Sequence, residues 1–176
     1  MTKRKWVVLA VTGLLAGCGP DKEAVQPPSL VSVTTDATSH YAVNIQTDVA
    51  GEYVPTTVIQ HQNWRLQHIV FKDDAALRDW MMSKARSADT APVLLVFEDM
   101  EEGSQTPSGE RRTLTLVPAG FGLSDDKVAI QAISAGLGPV NFDGRWAAVG
   151  RTLQGDFKIG TQSFENITLN TKTGSR

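Results

Sequence analysis

Apolar and polar residues alternate along much of this chain, and the alternation predicts strands. Tyr41, Val43, Ile45 and Thr47 interleave with Ala42, Asn44, Gln46 and Asp48, the period of two that sends successive side chains to opposite faces of a sheet. A shorter strand is expected over Leu30–Thr35. Ala50-Gly51 turns the chain. Tyr53 to Ile59 is rich in β-formers but contains Pro55, which has no N–H for a ladder, so an edge or broken strand is expected. Trp64, Leu66, His68 and Val70 would share one face of a strand over about 63–71, with Arg65 and Gln67 on the other.

The period changes at Lys72. Asp73 or Asp74 can cap a helix over about 74–87, whose apolar stripe is Leu77, Trp80, Met81 and Ala85 at three- and four-residue spacing. The run Val93-Leu94-Leu95-Val96-Phe97 is too continuously apolar for a one-sided strand and is expected inside a sheet. A hairpin with a charged neck follows. Glu98, Asp99, Glu101 and Glu102 lie on one arm and Arg111 and Arg112 on the other, before a strand at Thr113–Val117. Ser124, with Asp125 and Asp126 behind it, reads as the N-cap of a second helix ending near Gly136, although Val128, Ile130 and Ala132 also fit a strand. The last forty residues read as a β-meander. Asp143-Gly144 and Gln154-Gly155-Asp156 mark its turns, and its strands run about 145–153, 156–160 and 163–170. The fold class expected is α+β: a mostly antiparallel sheet or partial barrel with one or two packed helices and a C-terminal meander.

The first eighteen residues follow a different rule. Lys3, Arg4 and Lys5 precede an uncharged apolar run from Trp6 to Gly17, and the only cysteine of the chain, Cys18, closes it. Twelve residues make about 18 Å of helix, short of the roughly 30 Å of a bilayer's hydrocarbon. A basic start, a short apolar run and small residues before a cleavage point make a signal peptide. Leu15-Ala16-Gly17-Cys18 resembles the lipobox of bacterial lipoproteins. The resemblance implies cleavage after Gly17, a Cys18 carrying diacylglycerol and an N-acyl chain such as palmitate, and a membrane attachment made stable by several acyl chains. Gly19 rather than Asp follows the cysteine, which in that family favours the outer membrane over the inner. Residues 18–29 then hold the lipidated Cys and a Pro-containing tether, with Pro20, Pro27 and Pro28. Its eleven residues after the Cys reach roughly 35 Å when extended. Residues 30–170 form a single globular β-rich domain, and 171–176 a polar tail.

Charge narrows the partners. Without residues 1–17 the chain keeps 14 basic and 19 acidic residues, net −5. That balance argues against nucleic acid and against anionic lipid headgroups.

Chemistry is sparse. The histidines are His40, His61 and His68, with no HExxH pattern and no cysteine cluster. The acidic neck lacks the loop pattern that wraps calcium. Asp73-Asp74 and Asp125-Asp126 are explained by helix starts. No GxSxG elbow or phosphate-cradling glycine loop occurs. Catalytic, cofactor and metal residues are therefore none. Trp64, Trp146 and Tyr53 are strand aromatics that would anchor a binding surface if exposed. The expectation is a non-enzymatic, lipid-anchored protein of the bacterial envelope and periplasm, binding an envelope protein as an accessory module. An immunity protein or inhibitor blocking a periplasmic toxin or hydrolase is one alternative. An envelope hydrolase with a dispersed active site is another.

Overall fold

The computed structural model describes residues 41–83, 87–105, 109–148 and 150–172. Cys18, the lipobox, the tether and the strand expected at Leu30–Thr35 lie outside the described residues. Eleven strands form one sheet. They are β1 (Tyr41–Asn44), β2 (Gly51–Pro55), β3 (Gln60–His61), β4 (Trp64–Phe71), β5 (Val93–Asp99), β6 (Thr113–Leu116), β7 (Gly120–Ser124), β8 (Val128–Ser134), β9 (Gly138–Ala148), β10 (Thr152–Ile159) and β11 (Gln162–Thr171). The helix α1 (Asp74–Met82) and a one-turn 3-10 helix, Ala88–Thr90, lie between β4 and β5.

The strand order is β1-β7-β8-β9-β10-β11-β2-β4-β5-β6, with β3 paired to β4. Every neighbour is antiparallel except β1, which runs parallel to β7. The result is a curled, half-barrel, mixed sheet. The curl follows from connectivity. β6 ends the order and β7 stands next to its other end, beside β1, yet only Val117, Pro118 and Ala119 separate β6 from β7. Three residues span about 10 Å, so the two rims of the sheet must come together. Counting antiparallel steps from β6 round to β7 gives both strands the same direction. The rims are successive halves of one chain segment, the first pairing with β5 and the second with β8. Tyr41 pins this junction, donating its hydroxyl to the carbonyl of Pro118 at 3.2 Å.

Inside the curl the alternation closes on an aromatic core. Tyr53, Phe71, Phe97, Phe142 and Phe157 are fully buried. Tyr53, Phe71 and Trp146 form a three-ring cluster with centroids 5.3–5.6 Å apart, and the Trp146 indole N–H donates to the carbonyl of Ser124 at 3.0 Å. β5 is an interior strand as its run predicts. Val93, Leu95 and Phe97 face the core, and Leu94 and Val96 are half-buried on the other face. The helix begins as expected: Asp73 is the N-cap, accepting from the Ala76 N–H at 2.9 Å. It ends at Met82, earlier than 87, and it buries Leu77 and Trp80 while Met81 and Met82 stay exposed.

Several expectations are corrected. The second helix is the strand β8, with Val128, Ile130 and Ala132 inward. Ser124-Asp125-Asp126-Lys127 is a tight hairpin. Ser124 Oγ accepts from the Lys127 N–H at 3.0 Å, and the Ser124 N–H donates to the Lys127 carbonyl at 2.8 Å. A short hydroxyl that can cap a helix can equally close a turn, and the strong alternation after it decided the outcome. Asp143-Gly144 and Gln154-Gly155-Asp156 are not turns either. Both lie in mid-strand, where Gly144 faces Gly155. Neither glycine has the positive φ that a two-residue hairpin turn needs. They are glycine because the strands touch there. A Cβ on Gly144 would lie 2.5 Å from the Gln154 carbonyl oxygen, and one on Gly155 would lie 2.3 Å from that of Asp143. The meander turns fall instead near Gly150 and at Gly160-Thr161.

β4 carries a bulge between Leu66 and His68. The extra residue flips the alternation, so Leu66, Ile69 and Phe71 are buried and His68 and Val70 are not their partners on that face. Pro55 ends β2 rather than marking an edge, since β2 lies between β11 and β4.

The glycine contact is directly testable. Gly155→Val should cost about 2–3 kcal/mol in urea unfolding, the upper range for overpacking. Gly122→Ala, where a Cβ meets nothing within 4 Å, should stay within about 0.5 kcal/mol. Equal effects of the two would refute the close approach.

Candidate functional site

The aromatics expected at a binding surface are mostly structural. Tyr53 is fully buried and Trp146 is 7% exposed, so neither presents a surface. Tyr53 donates its hydroxyl to the Val49 carbonyl at 3.0 Å. Burial, with the Asp48 charge adding to it, pushes its pKa up to about 12. Trp64 is half-buried, packed against the core where the β3–β4 hairpin turns through Gln62-Asn63.

The histidines are placed separately. His61 Nδ1 is 3.1 Å from Gln162 Oε1, joining the β3–β4 turn to the start of β11. His68 is half-buried on the other side of the β4 bulge. Burial lowers its pKa, the Glu52 carboxylate opposes that, and Lys172 adds to it. His40 lies outside the described residues. Among the described residues no three His, Cys, Asp or Glu side chains group as metal ligands.

The charged neck is the most connected polar cluster. Glu98, on the outer face of β5, takes Arg65 at 2.6 Å and Arg111 at 3.7 Å, and also accepts from Gln67. The arms of the hairpin thus pair as the sequence expects, with Arg65 of β4 joining them. Asp99 differs from its neighbours. It is the one charged residue among the described residues that is fully buried, at 2% exposed. Its Oδ1 accepts from Asn63 Nδ2 at 2.8 Å and from the Glu101 N–H at 3.0 Å. Its carbonyl accepts from Arg111 Nη1 at 3.3 Å, and its own N–H donates to the Arg112 carbonyl at 2.9 Å. Composition alone could not single it out from Glu101 and Glu102. The parity of β5 could, since Asp99 follows Val93, Leu95 and Phe97 on the inward side.

The bond from the Glu101 N–H is the largest reason that the Asp99 carboxyl is held below its usual value. Burial opposes it, and Asn63 and the charges of Arg112 and Arg111 assist. The group is a structural tie, since Oδ1 takes both the Asn63 amide and the Glu101 N–H.

A second polar surface lies on the outer face of β9 and β10. An open groove of about 590 Å³ is lined by Asp126, Lys127, Asp143, Arg145, Asp156 and Asn166, with Gly144 and Gly155 between them. Asp143 and Asp156 are direct cross-strand partners, an arrangement of like charges that costs stability. Lys127 reaches Asp143 at 3.9 Å, and Asp156 accepts from the Asn166 N–H at 2.8 Å. The groove offers carboxylates, an ammonium, a guanidinium and the amides of Gln154 and Asn166. It holds no histidine and no hydroxyl nucleophile. Sequence reasoning missed it because it took Asp143-Gly144 and Gly155 for turns.

No family model, curated protein or solved structure matches this chain.

Asp99 gives a pH prediction with a definite sign. Its folded pKa is depressed, so its contribution to stability is present above an unfolded value of about 3.9 and is lost as pH falls through the folded value. Asp99→Asn should be less stable than wild type in urea at pH 7, and the gap should narrow as pH drops below about 4. A gap that stays constant to pH 2 would show that the ionised carboxylate is not what holds the neck.

Proposed function

We propose that this chain is a lipid-anchored protein of the bacterial envelope whose β-rich domain binds another protein as an accessory module. The single observation that carries the reading is the placement of Cys18. It is the only cysteine of the chain and follows Leu15-Ala16-Gly17 at the end of a short apolar run with a basic start. A free thiol in an oxidising compartment is a liability, and lipidation removes it. The Pro-containing stretch 19–29 then serves as a tether that lets the domain work away from the bilayer. Among the described residues no helix is long and apolar enough to cross a membrane, so on this reading attachment rests on the lipid.

The domain's chemistry supports binding over catalysis. Its ionisable clusters are either tied up within the neck, as at Glu98 and Asp99, or spread along an open groove of mixed charge. The reading assigns the partner to that groove. Blocking a periplasmic toxin or hydrolase is the narrower form of the same proposal, with the groove meeting a polar protein surface.

Cys18→Ser should leave the precursor uncleaved or move the protein from the membrane to the soluble fraction, and it should abolish labelling by a radioactive fatty acid. A mutant that matures and partitions like wild type would end the lipidation claim. Separately, mild crosslinking of intact cells should capture a discrete partner with wild type and markedly less with the charge-reversed pair Asp143→Lys and Asp156→Lys. Capture unchanged by the reversal would move the partner off the groove.

A further inference from the structure

The first described strand stands apart from the domain it belongs to. Among the described residues β1 sits at one end of the strand order and is the only strand paired in parallel. Four register pairs hold it, Tyr41 with Phe121 through Asn44 with Ser124. Parallel pairing is slightly weaker per residue than antiparallel. The covalent link between β6 and β7, Val117-Pro118-Ala119, is made without β1.

Burial draws the same line. Tyr41, Val43 and Ile45 are only half-buried, and the first fully buried apolar residue among the described residues is Val49. These three pack against the core from its margin. On the side facing α1 a cleft of about 410 Å³ runs between Val43 of the strand, Ile45 just after it, and Leu77 and Met81 of the helix. Specific contacts close the strand down, among them the Tyr41 hydroxyl, which donates to the Pro118 carbonyl at 3.2 Å. The Tyr41 ring meets Phe121 at 4.8 Å and Trp80 at 6.2 Å, and just past the strand the Gln46 N–H donates to Asp125 Oδ1 at 2.9 Å.

We propose that β1 is a detachable strap. It opens as a local unit over residues 41–46 while the rest of the sheet stays folded, and opening uncovers the edge of β7 and the ring faces of Phe121 and Trp80. Closed, it blunts that edge, which would otherwise offer unpaired N–H and C=O groups to an incoming strand. Elements of low local stability open with free energies well below that of global unfolding. The strap does not depend on Cys18 being lipidated or on the groove binding a partner.

Hydrogen exchange of the full chain, followed by mass spectrometry under native conditions, tests this. Peptides covering 41–46 should exchange at least tenfold faster than peptides covering β9 and β10. Equal protection would overturn the proposal, since β1 would then open only with the whole domain. Val43→Asp supplies a second arm. It should speed exchange in 41–46 and along β7 while leaving β9, β10 and β11 within about twofold of wild type. Acceleration that spreads to those three strands would show that β1 is integral to the fold.

Discussion

Three residues, Val117, Pro118 and Ala119, set the shape of the sheet. They join β6, at one end of the hydrogen-bonding order, to β7, which stands one strand in from the other end, and a chain that short leaves those two strands no freedom to separate. The twist natural to strands supplies part of the curvature. The facing pair Gly144 and Gly155 supplies more, by letting β9 and β10 approach where any side chain would collide. Once the sheet is curled, its inward side chains have only each other to pack against. The rings of Tyr53, Phe71, Phe97, Trp146 and Phe157 fill the space accordingly.

The polar residues divide by how that curl treats them. Those carried inward must be satisfied within the protein, and Asp99 is the clear case. Its side chain collects Asn63 from the β3–β4 turn and the backbone beyond β5, so two loops are held by one carboxylate. Those carried outward have no such obligation. Asp143 and Asp156 face each other across β9 and β10 with a distant lysine and one backbone N–H between them.

Much of the strand content was legible because alternation is a local property. The interior run of β5, the Asp73 cap of α1, the charged neck and the final strand all follow from neighbouring residues. What was not legible depended on distant ones. Asp-Gly is a turn signal when glycine is there for its φ, and at 144 it is there for lack of a Cβ, a fact that only the opposing Gly155 reveals. Ser-Asp-Asp caps helices and closes hairpins with the same oxygen. One bulged residue at the middle of β4 was enough to separate His68 from the face of Leu66. The groove shared both faults, since its floor is the glycine pair and its walls come from four segments far apart in the chain.

The pairing of β2 with β11 sets an order of events. Leu169 lies against Pro55 and Thr171 against Tyr53, so nearly the whole domain must be synthesised before an early strand finds one of its two neighbours. Contacts this distant in sequence form slowly. A ribosome would release most of the chain with β2 still open on one side and the aromatic core unsealed. Until the last strand is made, apolar side chains destined for the core stay open to solvent and to whatever binds unfolded chains.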